Sequence, residues 1–179
     1  RSLIDCKIIF GHRRPKNLKD ILVRAKLSPS DDTLVHSLPR CSRSSCLQCQ
    51  RLDKSGRICS FSTKRVYTCV KNPTCQSTNV IYCISCLLCG KQYVGQTKRR
   101  ISSRWNNHAS TIRTKKDLPI PNHMVKHGRS QDPPVSIHIL EYIRVPPDTD
   151  KSQQLRDTRE LVWISNLNTL VPHGLNLQD

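Results

Sequence analysis

Several residue types able to do chemistry recur in this chain at spacings with geometric meaning. Cys86-x2-Cys89 sets two thiols on one tight turn, and His123-x3-His127 sets two imidazoles one helical turn apart. At that spacing both rings project from one helix face. The four make a Cys2His2 set suited to tetrahedral zinc, although 33 residues between the pairs exceed the usual finger spacing. Cys83 stands at the same spacing before Cys86, so the choice of pair is open. Cys41-x4-Cys46-x2-Cys49 offers three more thiolates, a second zinc site whose fourth ligand could be His36, Cys59, Cys69 or Cys75.

A different constellation lies among them. Tyr82 and Tyr93 sit on two short strands, with Gly95 at the end of the second. Arg104 and His108 are four apart, share a helix face and can address one phosphate. Glu160 is one of only two glutamates, the other being Glu141. No GxSxG nucleophile elbow is present. Gly90 and Gly95 form half of a phosphate loop, but Gln96 stands where the lysine must be. Singly, each residue has a plainer account: strand aromatics, a solvated arginine, a histidine on the stripe of Trp105 and Ile112. Glu160 could pair with Arg156 or Arg159 at the surface, and Asn176 after Gly174 could be turn chemistry.

The elements that must position these groups are legible in outline. Val80 to Ile84 is a β-branched and aromatic run, hence a strand. Cys86 to Gly90 turns, and Gln92 to Val94 returns antiparallel. Ile101, Trp105, His108 and Ile112 mark one stripe of a helix. Val135, Ile137 and Ile139 alternate as a third strand. Residues 151–167 form a last helix with Leu155, Val162 and Ser165 along one side and Leu161 and Ile164 beside it. Pro172 to Asn176 closes in a turn. The order β-β-α-β-α predicts an α+β fold, a small mainly antiparallel three-stranded sheet flanked by helices. Ahead of it, 36–78 reads as a Cys-rich, loop-rich segment that metal would hold together. Residues 1–35 hold one amphipathic helix, from Leu18 to Leu27. The expected divisions are therefore 1–35, 36–78 and 79–179.

Charge narrows the partners. The 179 residues carry 30 Lys+Arg against 13 Asp+Glu, a net charge of +17. Residues 91–116 hold eight bases (Lys91, Lys98, Arg99, Arg100, Arg104, Arg113, Lys115, Lys116) and no acid. A polyanion partner follows, nucleic acid first and an anionic membrane surface second. No run approaches the ~20 apolar residues of a transmembrane helix. Ten cysteines could instead signal a disulfide-linked secreted protein, but their pairing at metal-ligand spacing argues against it. No secretory signal is visible, and a start at Arg1 reads as part of a longer protein.

Val80-Ile81-Tyr82 and Tyr93-Val94-Gly95, followed by Arg104, His108, Glu160 and Asn176 in that order, resemble the GIY-YIG nucleases. Val80 replaces the name-giving glycine. The cysteine pair between the tyrosine motifs and the downstream histidines are similar to one branch, the endonuclease domain of Penelope-like retroelements. Gly11 to Pro15 and the helix after it resemble that branch's join to a reverse transcriptase.

The resemblance implies a DNA endonuclease that nicks a chromosomal target to prime integration, in the nucleus, joined to an upstream reverse transcriptase and with element RNA as a further partner. It makes Tyr82 the general base, with Tyr93 orienting water or phosphate and Asn176 holding the active-site loop. One Mg²⁺ or Mn²⁺ on Glu160 fits the preference of a hard cation for a carboxylate plus waters. Arg104 would brace the phosphate oxygens, with Lys98, Arg99, Arg100, Arg113, Lys115 and Lys116 along the nucleic acid. A tyrosine base, ordinarily near pKa 10, needs Arg104 and the metal to favour phenolate. His108 is the alternative base on chemical grounds. The competing function is a zinc-stabilised nucleic-acid-binding module that does not cut. The oligomeric state is not legible.

Overall fold

Residues 80–86 are the hub of the molecule, because almost every side chain there is buried. In the computed structural model, which describes residues 41, 46–128, 131, 133–144 and 149–177, the order of elements is α1 (Leu47–Gln50), β1 (Ser55–Cys59), β2 (Val66–Lys71), β3 (Val80–Cys86), β4 (Gln92–Thr97), α2 (Ile101–Arg113), α3 (Pro119–Lys126), β5 (Val135–Tyr142) and α4 (Asp150–Leu167). The expected helix 18–27, Gly11 to Pro15 and His36 lie outside the described residues. No helix among the described residues is long and apolar enough to cross a membrane.

The main sheet has the order β4-β3-β5, antiparallel throughout. This is the expected three-stranded sheet flanked by helices. Successive side chains of a strand point to opposite faces, so β3 feeds two cores. Val80, Tyr82, Ile84 and Cys86 join Ile101, Trp105 and Ile112 of α2 and Ile120 and Met124 of α3. Ile81 and Cys83 join Trp163 and Leu167 of α4 on the other face.

Three local expectations are corrected. The segment read as loop-rich contains a β1–β2 antiparallel hairpin. Only Ile58 of β1 and no residue of β2 is fully buried, so the alternation that announces a strand is faint. The hairpin is anchored by Tyr67, whose ring meets Trp163 edge-on at 6.1 Å and whose hydroxyl donates to the Asn166 carbonyl at 2.8 Å. The strands β3 and β4 also run further than expected, to Cys86 and Thr97.

The buried stripe of α4 is Ser152, Arg156, Trp163 and Leu167, whereas Leu155 and Leu161 are exposed. Hydrophobicity misplaces this helix because its first half docks through a polar network. Arg156, 2% exposed, donates to Asn79 Oδ1 at 2.6 Å, Ser152 Oγ at 2.7 Å and Gln96 Oε1 at 3.2 Å. Buried polar groups must be paired in this way. Arg159 likewise turns to Glu141.

Candidate active site and metal centres

The geometry begins with strand register. Tyr82 of β3 pairs with Gly95 of β4. A Cβ built on Gly95 would lie 2.6 Å from the Tyr82 hydroxyl and 2.9 Å from a carbon of the Tyr93 ring. Glycine is therefore what lets the two tyrosine side chains close over β4.

The α2 stripe then delivers its polar members to the same place. Ile101, Trp105 and Ile112 are buried in the core. Arg104 Nε donates to the Tyr82 hydroxyl at 2.8 Å, and His108 Nε2 lies 2.8 Å from the same oxygen. The His108 ring meets both tyrosines edge-on, with centroids 5.9 Å away in each case. Tyr82, Tyr93, Arg104 and His108 thus form one cluster. The charge of Glu160 on α4 acts on Tyr82, Tyr93 and Arg104.

Electrostatics revise one expectation. Burial pushes the Tyr82 phenol well above its usual range, and the Arg104 guanidinium only partly offsets this. Burial and then the Glu160 charge push Tyr93 up as well. By the protein's own groups alone, a standing phenolate on Tyr82 is disfavoured, because a fully buried ring has lost the water that would solvate the charge. Burial, and second the charge of Arg104, hold His108 down to about 4, so its ring is neutral at pH 7. Arg104 can only donate, so the Tyr82 oxygen accepts there, and its own proton can be directed at His108 Nε2.

Asn176 contacts a strand rather than a loop. It is buried, and its amide makes a two-way clasp with Val94, Oδ1 accepting from the backbone N–H at 2.9 Å and Nδ2 donating to the carbonyl at 2.8 Å. Val94 lies between Tyr93 and Gly95, so the clasp ties the C-terminal turn to the strand under the site.

Two metal-ligand sets pack against this core. The ligand atoms of Cys86, Cys89, His123 and His127 all lie within 4.8 Å of one another. Cys89 Sγ is 3.3 Å from His123 Nε2. Pairing in a strand of period two resolves the ambiguity with Cys83, which points into the other core. Burial and second the neighbouring His127 lower the His123 pKa, leaving the imidazole neutral as a ligand must be. The fourth partner of Cys41, Cys46 and Cys49 is Cys75, again with all four sulfurs within 4.8 Å. Tetrahedral zinc holds sulfurs about 3.8 Å apart, and Cys46 Sγ and Cys75 Sγ are 4.0 Å apart. Both donor sets fit zinc. Glu160 is half-buried, and its carboxylate is of the kind that could hold a hard divalent cation with waters. Lys98, Arg99, Arg100, Arg113, Lys115 and Lys116 are all exposed, at the two ends of α2.

No protein-family model and no curated protein matches the chain. The chain is similar to two solved endonuclease domains. One is the catalytic domain of intron endonuclease I-TevI in a mutant form, at 28% identity over 55% of this chain and 92% of that one, with a TM-score of 0.44. The other is the catalytic domain of homing endonuclease I-TevI, at 24% identity over 56% of this chain and 98% of that one, with a TM-score of 0.42.

Proposed function

We propose that this chain is a metal-dependent DNA endonuclease that nicks a chromosomal target to prime insertion of a retroelement. The observation that carries this reading is the clasp of the Tyr82 hydroxyl between Arg104 and His108, with the Tyr93 ring against His108 and the charge of Glu160 acting on the group. The half-buried Arg104 and the neutral His108 meet on one phenol oxygen, an arrangement suited to directing a proton as well as to packing. The net charge of +17 supports an anionic substrate.

The residues divide the work. A water poised over the sheet loses a proton to the Tyr82 oxygen as that oxygen passes its own proton to His108 Nε2. The hydroxide so formed attacks phosphorus, the bond to the leaving oxygen breaks, and the leaving alkoxide takes a proton from solvent to become the free hydroxyl end of the strand. The relay removes the need for a phenolate in the resting site, and a substrate phosphate bound beside Arg104 would offset the charge that is the second cause of the lowered His108 pKa. Arg104 holds Tyr82 in line, and its remaining guanidinium N–H groups suit the non-bridging oxygens of the phosphate. Tyr93 positions the water or phosphate from the neighbouring strand. Glu160 would hold Mg²⁺ or Mn²⁺, which when bound would supply Lewis-acid stabilisation of the developing charge. The exposed bases at the two ends of α2 take the flanking phosphates. Cys86 and Cys89 with His123 and His127 would hold zinc, which would tie the β3–β4 turn to α3. On the same reading an upstream reverse transcriptase, and element RNA, work beside this chain in the nucleus.

Plasmid nicking at low salt with Mg²⁺ or Mn²⁺ tests the proposal. Glu160→Gln is expected to reduce nicking about 1000-fold or more with DNA binding retained. A native, zinc-loaded chain that binds DNA but shows no nicking overturns catalysis in favour of a binding module.

A further inference from the structure

The α2 helix has a start that its own side chains do not secure. Its N-cap is Arg100, with no side-chain cap and no acid in the first turn. The first N–H groups of a helix need outside acceptors. Here they are backbone carbonyls from the β2–β3 connection: Ser77 O accepts from Ile101 N at 2.8 Å, and Cys75 O accepts from Ser102 N at 3.2 Å. Cys75 therefore receives the helix start with its carbonyl while its buried sulfur faces Cys41, Cys46 and Cys49.

The segment that carries Cys46 and Cys49 touches the same helix through its neighbouring side chains. The Cys46–Cys49 stretch is a tight turn closed by Cys49 N donating to Cys46 O at 2.9 Å. From α1, which follows Cys46, Gln48 donates to Asn106 of α2 at 3.0 Å. The Arg51 guanidinium lies 5.7 Å from the centre of the Trp105 ring. Gln48, Leu52, Cys75, Ile101, Ser102 and Trp105 line one crevice. Gln76 Nε2 donates to Cys75 Sγ at 3.7 Å, the kind of outer contact that steadies a metal thiolate. All four cysteines are free thiols, so no covalent bond joins the two segments. A four-residue helix cannot hold itself together in water.

We propose that Cys41, Cys46, Cys49 and Cys75 bind one zinc-class ion as a four-thiolate site, and that this ion positions α2, and through it Arg104 and His108, against Tyr82. The four cysteines are positioning residues and do not touch substrate. The consequence for cutting rests on the nuclease reading; the metal site and its hold on α2 do not.

The test uses the full chain and reads zinc content, amide hydrogen exchange at Ile101 and Ser102, and nicking kinetics. The native chain is expected to hold two zinc ions, and Cys46→Ser one. In Cys46→Ser the α2 first turn loses its protection, and kcat falls about 100-fold, as for a misplacement of order 1 Å, while the Kd for DNA stays within about threefold. Cys46→His, which restores a zinc donor, is expected to regain the second ion, the protection and most of kcat. If Cys46→Ser does not fold, graded chelation of the native chain, followed by zinc return, takes its place. Co²⁺ substitution then marks the four-thiolate ion by its stronger sulfur charge-transfer band. A second ion that never binds, or one whose removal leaves α2 exchange and kcat native, overturns the proposal. A native chain that never nicks refutes the nuclease reading instead, and zinc content with exchange still decides this one.

Discussion

Tyr82 and Gly95 face each other across the β3–β4 pair, and the tyrosine hydroxyl occupies the space that a side chain at 95 would need. A backbone position thereby determines where a phenol sits. Gly95→Ala should push Tyr82 off Arg104 and His108. Overpacking of this kind costs about 1–3 kcal/mol, so the variant should fold with a lowered Tm. Nicking should fall about 100-fold with DNA affinity kept. A variant that nicks at the native rate would show that the Tyr82 position does not matter to cutting.

Removing only the hydroxyl is a gentler probe of the same contact. Tyr82→Phe leaves Arg104 Nε and His108 Nε2 without their shared partner. The loss should cost about 1–3 kcal/mol in chemical denaturation. In the relay reading, Tyr82→Phe and His108→Ala should be strongly non-additive in nicking rate, since each breaks one proton path. Additive effects would mean that the two act independently.

The histidine also predicts a pH dependence of stability. Folding holds His108 down to about 4 from an ordinary 6.5. Between those values the unfolded chain binds a proton that the folded chain does not. The stability gained by burying the ring neutral is therefore complete above pH 6.5 and is lost as pH falls towards 4. Its size is at most roughly 3 kcal/mol. His123 and His138 shift the same way, so the informative quantity is the difference between native chain and His108→Gln. Parallel stability curves for the two between pH 7.5 and 4 would refute the buried neutral ring.

Asn176 is expected to matter through β4. Asn176→Ala removes both bonds to Val94 and leaves a buried N–H and C=O unpaired. About 2 kcal/mol of stability should go with them. Hydrogen exchange at Val94 should rise first. Unchanged protection there would mean that water replaces the amide without cost.

Much of this was legible from sequence because it is written in local periodicity. Strand β3, its partner β4 and the stripe Ile101, Trp105, His108, Ile112 follow from spacing alone, and the stripe carries Arg104 and His108 to one side. The resemblance of Tyr82, Tyr93, Arg104, His108, Glu160 and Asn176 to a nuclease pattern named the candidates before any contact was known. Spacing also grouped the two sets of metal ligands, up to one missing member.

Tertiary structure decided what depends on residues far apart in the chain. Cys75 became the fourth sulfur because the β2–β3 connection crosses the start of α2, a contact that no local spacing encodes. Cys83 was set aside because consecutive strand positions face opposite cores. The exposed Leu155 and the buried Arg156 reversed the reading of α4, since Asn79, Ser152 and Gln96 give the guanidinium a paired polar site that hydrophobicity cannot reveal. The protonation of Tyr82 was likewise decided by burial: sequence placed Arg104 near it, but only the packed core shows how much water the phenol has lost.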